Sequence, residues 1–124
     1  MNSIQLNVDI REIYKLNQFI NQLIQKEDLN VTLITEEIFV NIVNYSKTDY
    51  IKVTGEYSDS ILTIEFIDNG IEFNPLLKED YDFPDTIEDA EIGGLGIYLT
   101  KNLADELDYH YVNGENHLKI IKKV

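Results

Sequence analysis

Cysteine is absent from the 124 residues, which excludes disulfides, thiolate metal sites and cysteine nucleophiles. Positive charge is scarce. Ten Lys and Arg stand against 23 Asp and Glu, for a net charge of -13, and Arg11 is the single arginine. A chain of this kind offers no basic face to a phosphate backbone, so direct nucleic-acid binding is not expected. A basic protein partner would be drawn to the acidic field, and the same acidity serves solubility. No apolar run approaches the ~20 residues of a membrane span. Residues 1–5 show no basic stretch followed by an apolar core. The expectation is a cytoplasmic protein with no membrane contact.

What is present reads as one folded domain over residues 1–124. Hydrophobic residues make up 44% and charged residues 27%, a balance that permits a buried core. Residues 4–8 alternate as a half-buried strand does. Over residues 11–26, Ile13, Leu16, Ile20, Leu23 and Ile24 fall at amphipathic helix spacing, supported by Phe19. Residues 26–30 break that pattern. A second helix is expected over residues 31–46, with Val31, Ile34, Ile38 and Ile42 as its apolar stripe. Glu37, Asn41 and Asn44, at i, i+4 and i+7, would share another flank.

Residues 50–57 and 61–68 read as two strands joined by a turn at residues 58–60, an antiparallel hairpin. Gly70 ends the second strand and Pro75 prevents its resumption. Residues 76–92 show no period and hold seven acids with Lys78 as the lone base. A loop of that length in a compact domain is usually functional or disordered. Because it joins two glycine-containing stretches, it reads as a lid over a ligand. A third helix is expected over residues 96–107. A strand over 108–112, an Asn113-Gly114 turn and a final strand from His117 to Val124 follow. The order β-α-α-β-β-lid-α-β-β predicts an α+β two-layer sandwich, with a mixed, mostly antiparallel sheet and helices on one face.

Three stretches carry the chemistry. Asp68 at a strand end can accept from the exocyclic amine of a nucleobase, and Gly70 lets a base approach the backbone. Taken alone, Asp68-Asn69-Gly70 reads better as an ordinary turn. Gly93, Gly94, Leu95 and Gly96 enter a helix, where free backbone N–H groups and the helix dipole favour phosphate. Asn41 offers an amide oxygen to a hard cation such as Mg2+. Glu37, one turn earlier, is placed to take a proton from an attacking hydroxyl or water, and alone would read as a solvated helix residue.

In order and spacing, Glu37-x-x-x-Asn41, then Asp68-x-Gly70-x-x-Phe73-x-Pro75, then Gly93-Gly94-Leu95-Gly96-Ile97 resemble the N, G1 and G2 boxes of the GHKL ATPases. That superfamily includes gyrase, the histidine kinases and the mismatch-repair ATPases. The small size, the single helix before the N box and residues 103–107 after the G2 box look like the stand-alone anti-sigma-factor serine/threonine kinases. The resemblance covers almost the whole chain. It implies an ATP pocket in which Asn41 holds Mg2+, Asp68 and Gly70 meet adenine, and Gly94 and Gly96 approach the phosphates, with Phe73, Gly93 and Leu95 also among the nucleotide-binding residues. Glu37 matches the family's catalytic base. Such proteins phosphorylate a small antagonist protein, otherwise sequester a sigma factor, and are commonly homodimers.

The chain departs from that pattern in three places. Tyr45 stands where a histidine is usual, the lid has no arginine, and His117 falls about where a small hydroxyl residue helps frame the adenine. Phosphoryl transfer depends on neutralising charge in the transition state, and Lys78 and Lys101 are the nearest compensating bases in sequence. Two functional classes therefore follow from the sequence. One is an anti-sigma-type serine/threonine kinase that uses Mg-ATP. The other is a non-catalytic, ATP-responsive protein-binding module. A simple ATPase fits less well, because no transducer domain is visible to use the hydrolysis.

Overall fold

The computed structural model describes residues 2–72 and 102–124. The expected lid, the glycine cluster and most of the expected third helix lie outside the described residues. Strand β1 (Asn2–Leu6) leads through a short 3-10 turn (Ile10–Glu12) into helix α1 (Ile13–Ile24). Helix α2 (Leu29–Asn41) follows and continues directly into a π-helical turn (Ile42–Ser46). The hairpin of β2 (Ile51–Ser58) and β3 (Ile61–Asp68) comes next, and then the hairpin of β4 (Glu106–Val112) and β5 (Glu115–Lys123).

The strands form one sheet in the order β1-β2-β3-β5-β4. Each of its four pairings is antiparallel. The α+β, two-layer architecture expected from the sequence is the one observed. One parity of the central strands is apolar and buried: Leu62, Ile64 and Phe66 on β3, with Leu118 and Ile120 on β5. Leu16, Ile20 and Ile24 of α1 and Val31, Ile34, Ile38 and Phe39 of α2 join them in a single core. Strands alternate faces with period two and helices with period 3.6, so each element contributes one stripe to the core. Among the described residues no helix is long and apolar enough to cross a membrane.

Several boundaries differ from those expected, each for a local reason. β1 begins at Asn2 and ends at Leu6, because the Asn7 N–H leaves the ladder and donates to Glu12 Oε1 at 3.1 Å. α2 starts two residues early because Asp28 caps it, accepting from Val31 N at 3.0 Å. Glu106 and Leu107 belong to β4, where they pair with Ile121 and Ile120. Both two-residue hairpin turns use left-handed backbone. Asp59 and Ser60 have φ of 54° and 63°, and Asn113 and Gly114 have 54° and 77°, the geometry that matches strand twist.

Candidate functional site

β3 ends in a buried carboxylate, and much of the local structure exists to hold it. Asp68 is 4% exposed. Its Oδ1 accepts from Ser46 Oγ at 2.5 Å, from Gly70 N at 2.9 Å and from Asn116 Nδ2 at 3.1 Å. None of these three donors reaches Oδ2. A buried carboxylate needs such partners, since desolvation without them is costly.

Ser46 reaches Asp68 because α2 does not end as a regular helix. The π-helical turn advances by fewer degrees per residue than an α-helix, so it rotates the residues after Asn41 relative to those before it. Ser46 is turned inward and buried, while Asn44 is exposed. The expected shared flank of Glu37, Asn41 and Asn44 therefore stops at Asn41. Lys47, with φ of 55°, closes the turn.

Gly70 sits against the end of that turn. A Cβ there would fall 1.9 Å from Ser46 Oγ and 2.1 Å from Ser46 O. The Ile71 N–H donates to Ser46 O at 2.8 Å. In this structure the absent side chain serves the approach of Ser46, a different use from the close approach of a base expected from the sequence. Asn69 completes the clamp. Its Oδ1 accepts from Asp49 N at 2.8 Å, and its N–H donates to Thr48 Oγ1 at 2.9 Å.

Asp68 faces a recess of about 470 Å3, counting its open mouth. Ile38, Ile42, Phe66 and Leu118 supply apolar walls, and Asn41, Asn116, Tyr109 and Tyr45 supply polar groups. Asp68 is the one charged side chain among the described lining residues. The described part of the recess thus suits an uncharged, flat, partly polar group better than a phosphate chain. Asn41 is 9% exposed, and its Nδ2 is fully buried with no hydrogen-bond partner among the described residues. An unpaired buried amide nitrogen is costly. Asn41 is one of the described residues that line the recess.

The structure therefore brings Asn41 and Asp68 into one recess and places Gly70 directly behind it. Glu37 is half-buried on α2, one turn before Asn41, and is not among the residues lining the recess. Phe73, Gly93, Gly94, Leu95 and Gly96 lie outside the described residues.

Sequence reasoning missed Ser46 and Asn116 and assigned the adenine-framing position to His117. The ladder pairs Asp68 with Asn116 and Ile67 with His117, so Asn116 shares the face of Asp68. His117 points to the opposite face, where its Nδ1 meets Glu65 Oε1 at 3.1 Å. A signal for this was present, because Leu118 and Ile120 are the apolar parity of β5 and Asn116 belongs to it. Tyr109 across the hairpin donates its hydroxyl to Asn116 Oδ1 at 2.5 Å. Tyr50 donates to Glu115. That hydrogen bond, followed by burial and the nearby acids, holds the phenol proton above its usual range.

The fold is shared with solved structures. The histidine kinase AdeS of Acinetobacter baumannii has a similar structure, with a TM-score of 0.57 at 14% identity. The match covers 99% of this chain and 68% of that one. The histidine kinase domain of the blue-light activated histidine kinase EL346 from Erythrobacter litoralis gives a TM-score of 0.53 at 14% identity, covering 95% and 61%. At such identities the likeness establishes the fold, and the chain spans only about two thirds of either structure. No curated protein matches in sequence. Residues 9–122 match the family described as "Histidine kinase-like ATPase domain", and the chain belongs to that family.

Proposed function

We propose that this chain binds ATP in the recess beneath α2 and acts as an anti-sigma-type regulatory serine/threonine protein kinase. The observation that carries the reading is the pairing, in one recess, of two groups that have no hydrogen-bond partner among the described residues, Oδ2 of Asp68 and Nδ2 of Asn41. A carboxylate oxygen accepts from the exocyclic amine of adenine. An amide presents nitrogen or oxygen to the recess according to how it is turned, and its oxygen suits a hard cation. Mg2+, when bound, offsets the charge of the transferring phosphoryl group.

In this reading Asp68 and the apolar walls hold the base, and Asn41 faces the cation. Glu37, one turn earlier, accepts the proton of the attacking hydroxyl. The glycine cluster from Gly93 to Gly96 supplies backbone N–H groups to the phosphates. The partners are a sigma factor and a small antagonist protein that receives the phosphate, with the chain working as a cytoplasmic homodimer.

A second reading, a non-catalytic ATP-responsive binding module, is favoured by one feature. No cation lines the described recess, and the segment of residues 76–92 is strongly acidic.

Calorimetric titration with ATP, with and without Mg2+, tests the shared premise. Magnesium-dependent binding that is lost in Asp68→Asn supports the nucleotide reading, and no binding in any condition refutes it. Transfer of phosphate from ATP to a candidate antagonist separates the two readings.

A further inference from the structure

We propose that β1 is the surface through which two copies of this chain pair, edge to edge, into one continuous sheet. The inference rests on the proposed homodimer for the number of copies and on none of the nucleotide chemistry.

The two edges of the sheet differ. β4 forms one of them and carries Glu106 and Asp108, both exposed. Charges of that kind blunt an edge, and in a second copy they would meet their own sign. β1 forms the other edge. Asn2-Ser3-Ile4-Gln5-Leu6 has no charge and no proline, and its register with β2 runs without a bulge. Those common protections against strand pairing are missing from β1.

The ladder locates the free groups of β1. The two-residue turn at Asp59 and Ser60 makes Ser58 and Ile61 a hydrogen-bonded pair, and bonded pairs alternate along antiparallel strands. Lys52, Thr54 and Glu56 therefore bond to β3. Ile51, Val53 and Gly55 turn to β1, where they meet Leu6, Ile4 and Asn2. The backbone groups of Ser3 and Gln5 point away from the sheet. Those of Asn7 do as well, but its N–H donates to Glu12 Oε1 and its C=O accepts from Asp9 N. A twofold axis at Ile4 sets Ser3 of each copy opposite Gln5 of the other, so these outward groups match. Such a contact is isologous and closes at two copies. Ile4, half-buried in one chain, would meet its own copy on the axis.

Charge favours the same surface. Two chains of net charge -13 repel one another wherever their acids face. Of the 23 acids, only Asp9 and Glu12 precede residue 27. Both are answered locally, by Arg11 Nη2 at 2.7 Å and Lys15 Nζ at 2.8 Å. Helix α1, which packs against β1, contains no acid. The β1–α1 unit is thus the near-neutral part of an acidic molecule.

Sedimentation equilibrium of the intact chain should give twice its 14.4 kDa. The dimer should tighten as salt rises from about 50 to about 500 mM, because screening weakens the repulsion and the interface has no ion pair to lose. Gln5→Pro removes an outward N–H and leaves the β1–β2 ladder whole. It should raise the dissociation constant at least roughly thirtyfold, the size of two lost hydrogen bonds, with an unchanged circular dichroism spectrum. If that variant does not fold, Gln5→Glu carries the test. It keeps every backbone group and should weaken the dimer most at low salt. A wild type that stays monomeric, a dimer that loosens with salt, or a folded variant as dimeric as wild type would overturn the proposal. A wild-type monomer that binds ATP would do so and leave the nucleotide reading standing. A dimer with these properties that binds no ATP would support the pairing and remove the nucleotide reading.

Discussion

Gly70 and Ser46 are packed so closely that a single methyl group on Gly70 would overlap both the side chain and the carbonyl of Ser46, at 1.9 and 2.1 Å. The contact joins the end of β3 to the end of the π-helical turn and holds Asp68 between them. Gly70→Ala must push these segments apart. Backbone cannot yield as a flexible side-chain tip can, so the expected cost is about 2–3 kcal/mol. Urea unfolding should show the lower midpoint, and ATP titration should show weakened binding.

Asn41→Leu should move stability and function in opposite directions. The change removes a buried amide nitrogen that has no partner among the described residues and keeps similar bulk, so folding stability should rise by about 1 kcal/mol. Nucleotide binding should lose its dependence on Mg2+. Thermal melting and calorimetry on the same sample check both halves. A variant less stable than wild type would mean that Asn41 is already satisfied.

Glu37 is half-buried on α2, one turn before Asn41, and in the proposed kinase reading it serves transfer more than binding. Glu37→Ala is expected to bind ATP within about twofold of wild type, while phosphate transfer to the antagonist falls at least a hundredfold, the usual reach of a general base. Transfer at the wild-type rate would remove Glu37 from the mechanism.

The acid behaviour of the 3-10 turn is set by Asp9 and Arg11. The Asp9 carboxylate accepts from the Arg11 guanidinium at 2.7 Å and from the Arg11 N–H at 2.9 Å. These bonds, the side-chain one first, lower its pKa from the ordinary 3.8 to about 2. A depressed carboxyl pKa stabilises the folded state above the unfolded value, and that contribution is lost as pH falls through the folded value. Wild type should therefore melt above Asp9→Asn by a constant margin at pH 5 to 7. The margin should shrink below about pH 4 and vanish only below about pH 2. It should also narrow in high salt, because the pair is exposed.

The position of Asp68 is legible in the sequence. An apolar strand that stops at Asp-Asn-Gly has to place its last side chain at the sheet end. The apolar spacings of α1 and α2 likewise named the core stripes, with Leu16, Ile20, Ile34 and Ile38 buried as expected. The partners of Asp68 were less legible. Asn116 could have been found by following the parity of Leu118 and Ile120, but the resemblance pointed at His117, one position along. In a strand, a slip of one residue reverses the face.

For the described residues, local pattern alone determined roughly where α1, α2 and the hairpin strands lie and which stripe of each is apolar, because periodicity and turn residues act over a few neighbours. Tertiary structure alone decided that Ser46 turns inward at the end of a π-helical turn, that Gly70 is needed for Ser46, and that the Asn41 Nδ2 is buried with no partner among the described residues. Each of these depends on segments at least 20 residues apart in sequence meeting at the same end of the sheet. No window of the sequence contains both sides of such a contact, and the widened turn that makes it possible is stabilised by the contact itself.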